Sequence, residues 1–350
     1  MKGLHSKISP MRCTHIKSAL TSRLKSTAAA LLGTAATAIL TLSAPSAIAQ
    51  SAFQPTKPVK IVVPFPPGGG TDAVSRIVAE KLGQMWNQQI IVENKGGAQG
   101  SIGTAYGAKA APDGHTLVLA HQGVFTVNPY LYKEIGFDPL KDFIPVSRGT
   151  QQPFVLVANP SLPAKNMKEL VELAKKQPGK LTYGSSASGP QLTGEMLKSQ
   201  TGTDIMHVSY KGAGPGIIDV LAGHIPLFIA NPTSVAPHIA AGKLNALVLF
   251  GPDAVEVLPN VPTAAQAGFP ALGEMPEWYG FAVPAGTPAA TVDQLNKDLR
   301  TALTDATVKA KLNKLGLNPS PSSPKEFADQ IQRDLNTTKT LVEKAGLQKQ

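Results

Sequence analysis

Short apolar runs alternate with longer amphipathic stretches almost to the end of this chain. The first unit sets the pattern: Val59-Lys60-Ile61-Val62-Val63 reads as a buried strand, and Val74, Ile77, Val78, Leu82, Met85 and Trp86 then fall on one face of a helix. Between them lies Pro64-Phe65-Pro66-Pro67-Gly68-Gly69-Gly70-Thr71-Asp72, a glycine loop at a helix start, with Thr71 or Asp72 suited to the N-cap. A strand at 89–93, a second glycine loop at 96–101, a helix to Ala110 and a strand at 115–120 follow. From Phe154 the rhythm restarts with a strand at 154–158, a helix at 167–176, a strand at 181–184, a Ser/Gly loop and a helix at 192–199. A strand at 205–209, a helix at 216–222 with Pro215 at its first position, and strands at 226–230 and 244–250 complete this half. Residues 251–273 are rich in Pro, Gly and Ala, after which a strand at 278–283 and helices at 293–302 and 327–343 close the chain.

Strand and helix in alternation predict an α/β fold built from parallel units. The restart divides it into two lobes, lobe I from 50–150 and 252–350 and lobe II from 151–251. The chain then crosses between lobes twice, near 150 and 251, an arrangement that makes a cleft with a hinge.

The N-terminus changes the reading of compartment and charge. Lys2, Lys7, Arg12, Lys17, Arg23 and Lys25 precede an apolar run, Ala28 to Leu42, and then Ala47-Ile48-Ala49. This is the layout of a secretory signal with an A-x-A site, predicting a cleaved segment 1–49 and an exported chain. Removing those six cations, with no acidic residue among them, lowers the formal net charge from +10 to +4. No basic block with interleaved aromatics remains, so nucleic acid is not an expected partner. The only cysteine, Cys13, leaves with the leader, and with it any disulfide, thiol nucleophile or thiolate metal ligand. His115, His121, His207, His224 and His238 show no ligand spacing, so neither a metal nor a cofactor is expected.

Gly68-Gly69-Gly70-Thr71-Asp72-Ala73 satisfies G-x-G-x-x-A, with Glu93 at the end of the next strand, which is a dinucleotide fingerprint on paper. Pro66-Pro67 makes the turn stiffer and longer than a tight nucleotide turn, and export removes the protein from dinucleotide pools. Gly184-Ser185-Ser186-Ala187-Ser188 approaches a nucleophile elbow but lacks its last glycine. No catalytic residues are assigned.

What the pattern offers instead is a set of strand ends, where ligands sit in open α/β sheets. Phe65 to Asp72, His121 to Gly123, Ser185 to Gly189 and Asn231 to Ser234 are rich in backbone, hydroxyl and amide donors and contain no Arg. Neutral donors and helix dipoles of this kind can hold a carboxylate and release it.

Pro64 to Asp72, Val92-Glu93-Asn94-Lys95, Ala111-Pro112-Asp113-Gly114-His115-Thr116-Leu117, Phe137 to Phe143, His207-Val208-Ser209-Tyr210-Lys211-Gly212, Leu258 to Thr263 and Pro284-Ala285-Gly286-Thr287-Pro288 occur in that order. In this succession the chain resembles the Bug-type substrate-binding proteins of tripartite tricarboxylate transporters. The resemblance implies a type II periplasmic binding protein fold, a monomer in the periplasm, a small carboxylate solute and membrane transporter subunits as partner. The alternatives are a periplasmic sensor that passes its bound state to a signalling partner, and a dinucleotide-dependent enzyme. The candidate ligand-binding residues are Phe65, Pro67, Gly68, Gly69, Gly70, Thr71 and Asp72 in the first loop, then His121 and Gln122. Ser185, Ser186, Ala187, Ser188, Ala230 and Asn231 face them from lobe II. Phe65 and Trp278 read equally well as cleft walls or as core. Many relatives carry Asp in the stretch that is Ile229-Ala230-Asn231-Pro232 here; Ala230 cannot accept from an ammonium group, which predicts a plain carboxylate rather than an amino acid.

Overall fold

In the computed structural model, which describes residues 53–344 and 346–349, eleven strands form two sheets. The first is built from β1 (Val59–Val63), β2 (Ile90–Asn94), β3 (Thr116–His121), β4 (Phe143–Gln152), β10 (Glu277–Pro284) and β11 (Asn318–Pro319). Their order across the sheet is β11-β4-β10-β3-β1-β2. The second holds β5 (Phe154–Ala158), β6 (Thr182–Ser185), β7 (Met206–Ser209), β8 (Leu227–Ala230) and β9 (Asn245–Phe250), in the order β7-β6-β8-β5-β9. The segment 1–49, read as a leader, lies outside the described residues. No helix among the described residues is long and apolar enough to cross a membrane.

Each sheet is covered by the helices that the apolar periodicity predicts. Helix α1 (Gly70–Trp86) lays Val74, Val78, Leu82 and Trp86 on the first sheet beside Val292, Leu295 and Leu299 of α8 (Ala289–Thr304). Burying each such side chain contributes about 1.5–3 kcal/mol. In the second lobe α4 (Met167–Lys176) does the same with Met167, Leu170 and Ala174, and Asn166 caps it by accepting the Glu169 N–H.

Both sheets are mixed, not parallel as the alternation predicts. β10 runs antiparallel to β3 and β4, and β5 runs antiparallel to β8 and β9. The cause lies in the crossings: β5 and β10 each enter a lobe at the cleft and run away from it, whereas their neighbours run toward it. Pro153 alone separates β4 from β5, and residues 251–276 lead from β9 to β10. The two crossings touch, since a Cβ on Gly251 would lie 2.7 Å from the Pro153 side chain. Glycine is needed there for the close approach.

The segment after Gly251 packs differently from its assignment to lobe I. Leu249 donates its N–H to Pro262 O at 2.9 Å and accepts from Ala264 N–H at 2.8 Å. Val255 and Leu258 share a buried cluster with Val155, Val157 and Phe228. Residues 252–264 therefore cover the second sheet. Their Pro, Gly and Ala content carries no periodicity from which that attachment could be read.

Candidate functional site

The chemistry of the cleft begins with backbone groups. At the end of β1 the chain turns through Pro66 and Pro67 and starts α1 with Gly69 as N-cap. Ala73 N–H is the first to reach a carbonyl, Gly69 O at 3.0 Å, so the amides of Gly70, Thr71 and Asp72 have no acceptor within the helix. Neither Thr71 nor Asp72 is the cap: both lie inside the first turn, because the glycines carry the chain into helical geometry earlier than side-chain preference suggests. Asp72 instead folds back, accepting Gly68 N–H at 3.1 Å and Arg76 Nε at 3.0 Å. Burial pushes its carboxyl up, but Arg76 and the Gly68 amide outweigh this and hold it below the usual carboxylate range. Asn94 completes the clamp by donating to Phe65 O at 3.0 Å and accepting from Arg76.

Three helices of the second lobe start toward the same space. They are α5 (Ser188–Thr201) after Ala187, α6 (Ala213–Ala222) after Gly212, and α7 (Pro232–Ala240) after Asn231. With Gly70 and Thr71 of α1, residues Ala187, Ala213 and Thr233 at these starts line one cavity of about 530 Å³ between the lobes. None of the four N-termini is capped by a side chain. Each presents at least one orphan amide at the positive end of a helix dipole, so the cavity favours negative charge. Pro215, expected at the first position of its helix, sits at the third.

The floor is polar and buried. His121 Nε2 lies 3.2 Å from Glu277 Oε1, while Gln152 Nε2 and the Tyr279 hydroxyl donate to Glu277 Oε2 at 3.1 and 2.7 Å. Burial first, then the Glu277 charge, hold the Tyr279 hydroxyl well above the ordinary phenol range, so it keeps its proton. Phe65 walls the cavity and packs on the His121 ring at 4.8 Å between centroids. Trp278 is core: it is fully buried and donates to Asp334 Oδ2 at 2.6 Å.

Of the candidate residues, Phe65, Pro67, Gly68, Gly69, Gly70, Thr71, His121, Ser186, Ala187, Ala230 and Asn231 come together around the cavity. Four do not line it. Asp72 is spent on the loop clamp, and Gln122 packs its side chain toward Gly189. The Ser185 hydroxyl is held by His207 Nε2 at 2.8 Å, and the Ser188 hydroxyl by Asn128 Oδ1 at 2.6 Å. Sequence reasoning misses Lys211 to Pro215, Glu277 and Tyr279, which also line the cavity. The first could have been found, because Gly212-Ala213-Gly214 repeats the glycine-before-helix pattern of the first loop. Glu277 and Tyr279 could not, since β10 brings its starting end to the cleft, opposite to the strand carboxyl ends at which ligands of open α/β sheets sit. Among the described residues no group of three His, Cys, Asp or Glu is placed to hold a metal ion.

A sequence model of the family described as "Tripartite tricarboxylate transporter family receptor" matches residues 74–347. Protein BugT of Bordetella pertussis is 35% identical over 286 residues, which cover 80% of this chain and 87% of that protein. Among solved structures, R. palustris Rpa4515 with adipate superposes with a TM-score of 0.80 at 32% identity, covering 85% of this chain and 99% of that one. MatC from Rhodopseudomonas palustris with bound malate gives 0.75 at 29% identity, covering 82% and 99%.

Proposed function

The chain belongs to the tripartite tricarboxylate transporter receptor family, a family of binding proteins and not of enzymes, and on that premise we propose that it captures a small carboxylate between its lobes. The receptor works in the periplasm, as a monomer freed of residues 1–49, and delivers its solute to the membrane subunits of a transporter. One lobe comprises residues 50–150 and the chain from β10 onward, and the other comprises residues 151–251 with the segment 252–264 packed on it. The ligand touches the Gly69 to Thr71 amides from one side and the Ser186, Ala187 and Asn231 region from the other.

A single observation carries this proposal: four uncapped helix N-termini converge on one cavity. Orphan donors left without side-chain caps at four separate places are costly unless a ligand or water satisfies them. Lys211, on the cavity wall, adds a cation at its mouth. Adipate and malate in the structures of relatives are acids of fitting size and charge.

Thermal denaturation with a panel of di- and tricarboxylates, aromatic acids and amino acids tests the proposal. An acid at 100 times its dissociation constant raises stability by about 2.7 kcal/mol. A panel in which neutral sugars or amines stabilise the protein and no carboxylate does would refute it.

A further inference from the structure

Hydrogen bonds on the floor of the cavity converge on one carboxylate, Glu277. Glu277 is 2% exposed and His121 3%, yet both line the cavity. Gly123 N–H donates to His121 Nδ1 at 3.0 Å, which leaves the ring proton on Nε2, directed at Glu277 Oε1. Gln152 and Tyr279 direct their protons at Glu277 Oε2, and Asn231 Nδ2 donates in turn to the Tyr279 oxygen at 3.1 Å. His121, Gln152 and Tyr279 thus each direct one donor at Glu277, and Asn231 directs one at the Tyr279 oxygen. A carboxylate has about four acceptor sites, and three donors reach this one. Among the described residues no Lys or Arg pairs with it. What the floor has left for a bound molecule is an acceptor with a buried negative charge behind it.

The wall beside it has the opposite polarity, since the Gly70 and Thr71 amides are donors. The two surfaces meet: a Cβ on Gly70 would stand 3.0 Å from the Tyr279 hydroxyl oxygen. A carboxylate seated on the α1 amides is therefore close enough to the floor for its adjoining carbon to face Tyr279 and Glu277. A bare methylene there would leave buried acceptor sites facing hydrocarbon, an unpaired arrangement that costs binding free energy.

Resting on the carboxylate-receptor function proposed above, we infer that the ligand carries a hydroxyl or ammonium group on the carbon adjoining the carboxylate held by α1, and that Glu277 and Tyr279 accept its hydrogen bond. Ala230 removes one acceptor from the second lobe, but Glu277 supplies another from the first. An amine is therefore not excluded by Ala230, contrary to the expectation drawn from the sequence. The hinge position of Glu277, paired in register with Gln152, makes the same contact sensitive to lobe closure.

Titration calorimetry with acids matched in skeleton tests this: succinate against malate and aspartate, adipate against 2-hydroxyadipate and 2-aminoadipate, and tricarballylate against citrate. In the series that binds, a substituted acid is expected to bind about tenfold or more tighter than its parent. Glu277→Gln is expected to cut that advantage to less than about threefold, and Tyr279→Phe, which keeps the ring, to reduce it as well. A parent acid that binds within tenfold of its substituted partners overturns the inference and leaves the carboxylate receptor standing. A preference that survives intact in folded Glu277→Gln and Tyr279→Phe overturns the assignment to these residues. If no acid of any series binds, the carboxylate receptor itself fails and the inference falls with it.

Discussion

The Asn231 side-chain amide donates to the Tyr279 hydroxyl at 3.1 Å, joining the N-cap of a second-lobe helix to the first strand residues beyond the hinge. A second tie lies two residues on, where the Thr233 hydroxyl donates to Leu315 O at 2.7 Å. Both hold α7 against the first lobe, and Asn231, Thr233 and Tyr279 all line the cavity. Lobe opening therefore competes with hydrogen bonds worth about 1 kcal/mol each.

Asn231→Ala removes the first tie. The expected outcome is a larger radius of gyration for the ligand-free protein by small-angle scattering, with the saturated forms of variant and wild type converging. An unchanged ligand-free radius would show that the bond does not limit opening.

Gly69 and Gly70 are adjacent, yet their substitution should separate binding from stability. A Cβ on Gly69 meets nothing within 4 Å, so Gly69→Val should leave the denaturation midpoint nearly unchanged while obstructing approach to the amides. Its affinity for the carboxylate is expected to fall at least about tenfold, a loss on the scale of one charge-assisted hydrogen bond. Gly70→Ala places a methyl 3.0 Å from the Tyr279 oxygen and should lower both stability and affinity. Equal effects from both variants, measured by calorimetry and thermal denaturation, would contradict the placement of the loop.

The Ser188 hydroxyl lies 2.6 Å from Asn128 Oδ1, and Asn128 Nδ2 is already used on Ser101 Oγ and Gln99 O. Ser188→Ala leaves that buried oxygen unpaired and should cost about 1–3 kcal/mol, read from the urea midpoint. Ser185→Ala, whose partner is His207, provides the comparison: it should alter stability without altering solute affinity.

Burial pushes the Asp334 carboxyl up to about 6, against the downward pull of the Trp278 N–H, Arg333 and Arg148. A raised folded value means the native state holds more protons than the unfolded chain between roughly pH 4 and 6. This group's contribution therefore falls as pH rises through that window. Asp334→Asn can still accept from Trp278, and its melting temperature relative to wild type should climb from pH 4 to pH 6.5. A difference independent of pH would contradict the assignment.

The sequence makes legible those parts of the fold where periodicity and burial coincide. The strand at Val59 to Val63 and the helix at Met167 to Lys176 stand as read, because the first is a short apolar run buried on both faces and the second has one clean apolar face. β4 escapes: it contains Pro145 and Gly149, shifts register twice against β10, and buries the polar side chains Ser147 and Thr150, so no alternation survives. α7 escapes because Pro232 and Pro237 both read as breaks, although the first sits at a helix start where its missing N–H costs nothing. In the site, local chemistry reveals the loops, since glycine before a helix is a pattern within a few residues. The floor is different in kind. His121, Gln152, Asn231, Glu277 and Tyr279 are brought together by two chain crossings, and nothing near any one of them announces the other four.

The most direct measurement is a crystal structure of the protein saturated with the tightest acid found by calorimetry. A carboxylate lying between the lobes, its oxygens about 3 Å from the Gly70 and Thr71 amides, is the predicted result. A carboxylate bound outside this cavity, or an α1 terminus satisfied by the protein's own groups while the acid sits elsewhere, would contradict it.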